Sequence, residues 1–279
     1  TTSKPQIYNG SAWEDFGPAV VKVDYVVIGG GGSSGSMSGT GHSGGGGAGG
    51  YLSHYASENS GGGNSNSNDF YVPVSTNLVV TIGAGAAAND AGRFVGFEGN
   101  TTHFANIAAE GGGAGGTWGG LIGNKNYYLY NATNGGSGGG QASIDYAPGT
   151  VTSGKLYQGY AGGSGTATSE NTNTERAGGG GGGSNGTAGT ATGGGGAGGK
   201  NSVGTAGTAN TGGGGGGTAF NGVGDRAGAA GGSGVVILRY PNTFTISQSG
   251  LTFETGGEQT TGTDKYVVIT AGTGTVSFA

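Results

Sequence analysis

Three histidines, His42, His54 and His103, and carboxylates such as Glu110, Asp145, Glu170, Glu175 and Asp225 are the residues through which this chain could hold a metal or move a proton. The histidine spacings match no standard ligand motif, and loop or sheet-surface positions are the plain expectation. The carboxylates stand singly in polar stretches, where solvation accounts for them, and sequence spacing does not set the separation that a glycosidase pair requires. With no cysteine, thiolate chemistry and disulfides are excluded. Two glycine motifs imitate catalytic ones. Gly30-x-Gly32-x-x-Gly35 follows the apolar Val26-Val27-Ile28, as a dinucleotide fingerprint would. That fingerprint needs a helix immediately afterwards to bring its N-terminus under the pyrophosphate. Ser36-Met37-Ser38-Gly39-Thr40-Gly41 follows instead, and roughly five such matches arise by chance at this glycine frequency. Gly135-Gly136-Ser137-Gly138-Gly139 satisfies G-x-S-x-G without the strand and helix that a nucleophile elbow needs. The expectation is therefore no enzyme, no cofactor and no metal.

The elements around these residues are dominated by glycine, 76 of 279 residues. It is concentrated in runs at 44–50, 111–116, 135–140, 178–183, 193–199 and 212–217, each broken at most once. Such a run has no side chains to pack and the largest backbone entropy to lose, so it is either disordered linker or a structure made of backbone alone. Collagen is excluded, because glycine does not recur strictly every third residue and there are only 5 prolines. The remaining ordered form is the threefold extended helix, in which a run of six or seven residues spans roughly 19–22 Å at about 3.1 Å per residue. It carries no internal hydrogen bonds, so every peptide group must find a neighbouring chain or water. Ordering a residue costs about 1–2 kcal/mol while a net hydrogen bond returns about 0.5–1.5 kcal/mol. A bundle of such helices must be anchored by ordinary hydrophobic strands.

Those strands are legible. Ile7-Tyr8-Asn9-Gly10-Ser11-Ala12-Trp13 reads as a small hairpin. The stretch 20–28 begins in alternation and ends continuously apolar, as in a strand entering a buried sheet. Residues 70–74 and 78–82 form a second pair, with Pro73 marking an edge. Weaker strands fall at 93–97 and 103–108, and a buried-type strand at 234–240 closes the region. Pairing of 23–28 with 235–240 would clamp both ends of the glycine region into one sheet. The tail alternates around glycine turns and reads as a β module of its own. The expected organisation is an N-terminal hairpin or attachment segment at 1–20, a glycine-rich domain at 21–241 and a β module at 242–279. The fold class is mainly β: small antiparallel sheets anchoring polyglycine II helices, with almost no α-helix.

The ten Lys and Arg are scattered in a chain of net charge −5, which leaves no basic patch for nucleic acid. No apolar run is long enough to cross a bilayer as a helix. Aromatics follow the glycine runs: Tyr51 and Tyr55 after one, Trp118, Tyr127, Tyr128 and Tyr130 after another, Tyr146, Tyr157 and Tyr160 beyond the next. Tyr-, Ser- and Asn-rich inserts have the chemistry of binding loops, since tyrosine supplies contact area at low entropy cost. The same tyrosines could instead cap and bury the ends of a glycine bundle.

Four segments together resemble a family. Val23-Asp24-Tyr25-Val26-Val27-Ile28-Gly29-Gly30-Gly31-Gly32, Gly44-Gly45-Gly46-Gly47-Ala48-Gly49-Gly50-Tyr51, Val79-Val80-Thr81-Ile82-Gly83-Ala84-Gly85 and Gly232-Ser233-Gly234-Val235-Val236-Ile237-Leu238-Arg239-Tyr240 are similar to landmarks of the glycine-rich domain of bacteriophage tail-fibre and related virion proteins. The alternation of runs and loops also resembles the distal tail-fibre adhesins of T-even-like phages. That resemblance implies a sandwich of polyglycine II helices whose loops contact a host receptor, either a polysaccharide or an outer-membrane protein. The adhesin family begins with a fibre-attachment domain that residues 1–20 do not match. A structural role therefore stands beside adhesion, as a decoration or filament subunit contacting other virion proteins or copies of itself. Either role implies a virion or extracellular location.

Overall fold

The computed structural model describes residues 6–15, 17, 19–39, 41–56, 58–63, 69–92, 94–120, 127–144, 147–148, 152–156, 158–159, 167–169 and 174–279, with backbone alone at residues 7, 15, 118–120, 127–130, 143–144, 147–148, 167–169 and 174. One end of the molecule is a nine-stranded antiparallel sheet. Its strands are β1 (Asp24–Ile28), β2 (Tyr51–His54), β3 (Leu78–Thr81), β4 (Thr102–Phe104), β5 (Ile107–Ala109), β6 (Val235–Pro241), β7 (Ile246–Phe253), β8 (Gln259–Thr261) and β9 (Asp264–Phe278). Their order is β5-β4-β3-β9-β6-β1-β2, and β7 and β8 also pair with β9. The expected clamp is present: β1 and β6 pair from Ile28↔Val235 to Asp24↔Arg239. The tail is joined to the same sheet, because β9 lies between β6 and β3. Its first half pairs with β6 and its residues Thr273–Val276 with β3, the change of partner falling beside Gly272, whose φ of +108° suits only glycine.

The continuous apolar run in β1 has a direct cause, since the strand is covered on both faces. Tyr25 and Val27 join a core with Val80, Phe104, Leu238, Ile269 and Phe278. Val26 and Ile28 join a second with Tyr51, Val235, Ile237 and Val268. Pro73 sits in an outlying two-stranded ladder, Tyr71–Pro73 with Val20–Lys22. The N-terminal hairpin pairs Gln6–Tyr8 with Trp13–Asp15, and Asn9 closes its turn by accepting from the backbone N–H groups of Ser11 and Ala12.

Six strands continue into glycine rods: β1 into 29–36, 44–50 into β2, β3 into 83–89, 94–101 into β4, β5 into 111–116, and 228–234 into β6. Stretches at 135–141, 178–183, 193–199, 204–208 and 212–217 lie among them. The rods have the threefold period of polyglycine II, as their hydrogen bonds show. Gly29, Gly32 and Gly35 donate to Gly50, Gly47 and Gly44; Gly30, Ser33 and Ser36 donate to Asn100, Phe97 and Phe94; Gly31 and Ser34 donate to Gly232 and Ala229. Three neighbours are thus served in rotation, each at a step of three residues. Three others donate back, Ala86 to Gly31, Gly112 and Gly115 to Gly30 and Ser33, and Gly215 to Gly32. Rod 29–36 therefore has six neighbours. Rod 212–217 is likewise surrounded, by 29–36, 44–50, 178–183, 193–199, 204–208 and 228–234.

The strand becomes a rod where side chains stop. Sheets with packed side chains lie about 10 Å apart, whereas hydrogen-bonded neighbours lie about 4.8 Å apart, so glycine beyond Ile28 lets layers close to backbone contact in every direction. A Cβ at Gly30, Gly31 or Gly32 would overlap the carbonyl oxygen of Ala84, Gly213 or Gly113, each on a different rod. Serine replaces glycine where it meets a spare donor. Ser34 donates its N–H to Ala229 O while its Oγ accepts from Ala229 N at 2.7 Å, and Ser43 and Thr218 repeat the pattern. Residues 94–97, expected as strand, are rod. There Phe94 and Phe97 turn their carbonyls to Ser36 and Ser33.

Candidate functional site

Because rods alternate in direction, connections collect at two ends. Rods 29–36, 111–116, 178–183, 193–199 and 212–217 lead away from the sheet end, and their hydrogen-bond registers place Ser36, Gly116, Gly183, Gly199 and Gly217 together at the far end. Short ladders cap it. Met37–Ser38 pairs with Asp225–Arg226, Gly41–His42 with Ala219–Phe220, Thr117–Gly120 with Tyr127–Tyr130, and Ser143–Ile144 with Ala147–Pro148. The Thr117 and Ser143 ladders pack against those at 37–42, and Thr117 Oγ donates to Ser36 O. The turns near Ser184 and Ser202 reach the same level, with Ser184 N donating to Gly199 O and Ala219 N to Ser202 O. The result is a crown of short loops on a rigid bundle. At its rim Val223 is 96% exposed, and the Arg226 guanidinium lies 3.9 Å from the Phe220 ring centre.

The aromatic residues divide between the ends. Trp118, Tyr127, Tyr128 and Tyr130 occupy one crown ladder, where the backbone pairs Trp118 with Leu129 and Thr117 with Tyr130. Tyr51 corrects the expectation of a loop position. It begins β2, is 2% exposed, packs into the second core and donates its hydroxyl to Glu58. Its face of the strand is shared with Ser53 and turned inward by the same alternation that buries Ile28. Tyr55 also lies at the sheet end, where the Arg239 guanidinium sits 4.6 Å from its ring centre and donates to its hydroxyl. Tyr146, Tyr157 and Tyr160 lie outside the described residues.

The histidines are dispersed. His103 is exposed on β4, and His42 sits in the crown with its Nδ1 buried and unpartnered among the described residues. His54 is clamped between Asp24 and Asp69, each 3.2 Å from a ring nitrogen, while Lys22 reaches Asp69 at 2.8 Å. Burial pushes the Asp24 carboxyl up, against the pull of Lys22 and His54; the hydrogen bond from Lys22 holds Asp69 down. This chain of polar contacts joins β1, β2 and the segment entering Phe70. Among the described residues, no group of three or more His, Asp or Glu is placed to hold a metal. Gly30, Gly32 and Gly35 lie at the buried centre of the bundle, where no phosphate can reach their N–H groups.

Sequence reasoning assigned no role to the hydroxyls of Ser33, Ser34, Ser36 and Ser43. The signal was their placement against glycine, directly after 29–32 and directly before 44–50, where any side chain needs a reason. Among the described residues, no helix is long and apolar enough to cross a membrane. In comparison with known families, residues 9–241 match a glycine-rich domain. No curated protein matches the chain.

Proposed function

We propose, from the premise that the chain belongs to the glycine-rich domain family, that it is a non-enzymatic virion surface protein, a tail-fibre adhesin whose crown meets the host. The observation that carries this reading is the segregation of the molecule into an anchoring sheet and a distant cluster of short ladders carried on the hydrogen-bonded rods. A bundle in which central rods have six neighbours holds its loops still, so binding costs little further ordering. Loops on such a frame can vary without touching the packing, which suits recognition of a variable surface. The partner is a host surface polysaccharide or outer-membrane protein, and the location is the exposed surface of a virion. The similarity of the runs to tail-fibre adhesins supports this reading. The test is competition. Purified protein should slow adsorption of the parent particle to its host, and exchanging residues 118–129 for a short turn should abolish that competition. Equal competition by both proteins would overturn the assignment of the crown.

A structural role is favoured by a different feature. Tyr8 and Trp13 stand 53% and 65% exposed, their ring centres 5.4 Å apart on the N-terminal hairpin. Exposed aromatics gathered into a contiguous patch, as these two are, mark contact surfaces. Should this hairpin join subunits, Trp13→Ser would convert an assembling protein into a monomer in sedimentation velocity. A wild-type protein that stays monomeric under assembly conditions would remove this reading.

A further inference from the structure

We infer that the flank of the bundle, near the sheet end, carries a saccharide-binding groove. A cavity of about 410 Å³ opens there among three rods and the 154–156 segment. That volume lies in the range of small-ligand sites, roughly 300–1,000 Å³. Its polar groups are Glu98, Thr101, Glu110, Asn134 and Lys155, and Leu156 adds an apolar side chain that is 73% exposed.

The groove is set before any ligand arrives. Lys155 N donates to the carbonyls of both Gly135 and Gly136, pinning the segment to the rods. Asn134 Oδ1 accepts from Ser153 N at 2.8 Å, which leaves the amide NH₂ to donate. Glu110 is steadied by Thr101 Oγ at 3.4 Å and by Lys155 Nζ at 3.7 Å. Glu98 is exposed, and among the described residues no ion pair involves it. Glycines 99, 111, 135 and 154 make the remaining walls of bare backbone.

The lining selects the ligand class. Two carboxylates against one ammonium repel phosphate and other polyanions. A lone cation would leave most of the volume to water. Carboxylate acceptors alternating with amide, hydroxyl and ammonium donors match vicinal hydroxyls, each of which both donates and accepts. Leu156 offers a surface for the C–H face of a pyranose ring. The site therefore fits a short neutral saccharide. It lies apart from the crown, and the inference stands whether or not the crown binds a host.

Saturation-transfer NMR on the full chain, with maltose, cellobiose and diacetylchitobiose as separate probes, tests this. Transfer to at least one probe is expected. Glu98→Gln should weaken it about tenfold or more, the cost of losing a hydrogen bond to a charged group. Leu156→Ala, at an exposed position, should weaken it without unfolding the protein. Amide shifts should centre on Gly99, Gly111 and Gly135. Absence of transfer to all three probes would overturn the proposal, as would undiminished transfer in both variants or shifts confined to the crown.

Discussion

Gly31 and Gly182 present the same residue type in opposite environments. A Cβ at Gly31 would overlap the carbonyl oxygen of Gly213, whereas one at Gly182 meets nothing within 4 Å. Neither residue has a positive φ, so alanine is conformationally admissible at both. Gly31→Ala should destabilise the protein by at least about 1–3 kcal/mol through overpacking. Gly182→Ala should leave stability unchanged or raise it by about 0.4–1 kcal/mol, because alanine restricts the unfolded chain. Urea unfolding of the two variants compares them, and a large loss at both would contradict the six-neighbour arrangement. A second residue-scale effect concerns acid. Burial pushes the Glu258 carboxyl up, but hydrogen bonds from Lys265 and Tyr240 and the Lys265 charge together hold it below its ordinary value. A carboxylate held low in the folded state stabilises above its unfolded pKa, and that stabilisation is lost as pH falls through the folded value. Asp24, raised by burial, acts in the opposite sense over the same acidic range. Glu258→Gln should therefore flatten the fall in urea midpoint on acidification below about pH 4–5.

At the scale of elements, Gln158 bridges the two edge strands of the curved sheet. Its carbonyl accepts from Tyr51 N of β2 at 2.8 Å. Its side chain accepts from Glu110 N at 2.8 Å and donates to Ala108 O of β5 at 3.1 Å. An uncovered edge is a row of unpaired peptide groups open to other chains. Gln158→Ala keeps the backbone bond to Tyr51 and strips both side-chain bonds, at a cost of about 1–3 kcal/mol. Hydrogen exchange should accelerate at Glu110 and stay slow at Tyr51. Unchanged exchange at Glu110 would show that something else covers β5. The elements differ in how legible they were. β1 and β6 were readable from uninterrupted apolar runs because such runs need cover on both faces, and their clamp followed. Rod 94–101 was not, because Phe94, Val95 and Phe97 carry the signature of a strand. Only their contact with Ser36 and Ser33 at every third residue makes them rod, and that period belongs to the neighbours. Gln158 was invisible for the same reason: the edge residues it bridges, Glu110, Ala108 and Tyr51, are 48–107 residues away in sequence.

The whole molecule separates stability from display. The apolar cores lie among the sheet strands and the rod roots, and the rods draw on hydrogen bonds between backbones that the crown does not supply. This division was half legible: glycine runs bracketed by strands implied an anchored bundle, whereas the gathering of the ladders at 37–38, 41–42, 117–120, 127–130, 219–220 and 225–226 at one end depends on rod directions that no local pattern encodes. Tyr51 fell on the wrong side of that division because proximity to a glycine run does not say which end of the rod it joins. The division makes a quantitative expectation. Joining Thr117 directly to Tyr130 through a two-residue turn removes a crown ladder whose ends already face each other in register. Thermal unfolding should then shift Tm by no more than about 2–4 °C, the equivalent of 1 kcal/mol in a domain of this size. Competition for host adsorption should be lost in the same protein. A large fall in Tm would mean that the crown is part of what holds the rods together, and the bundle could not then vary its loops freely.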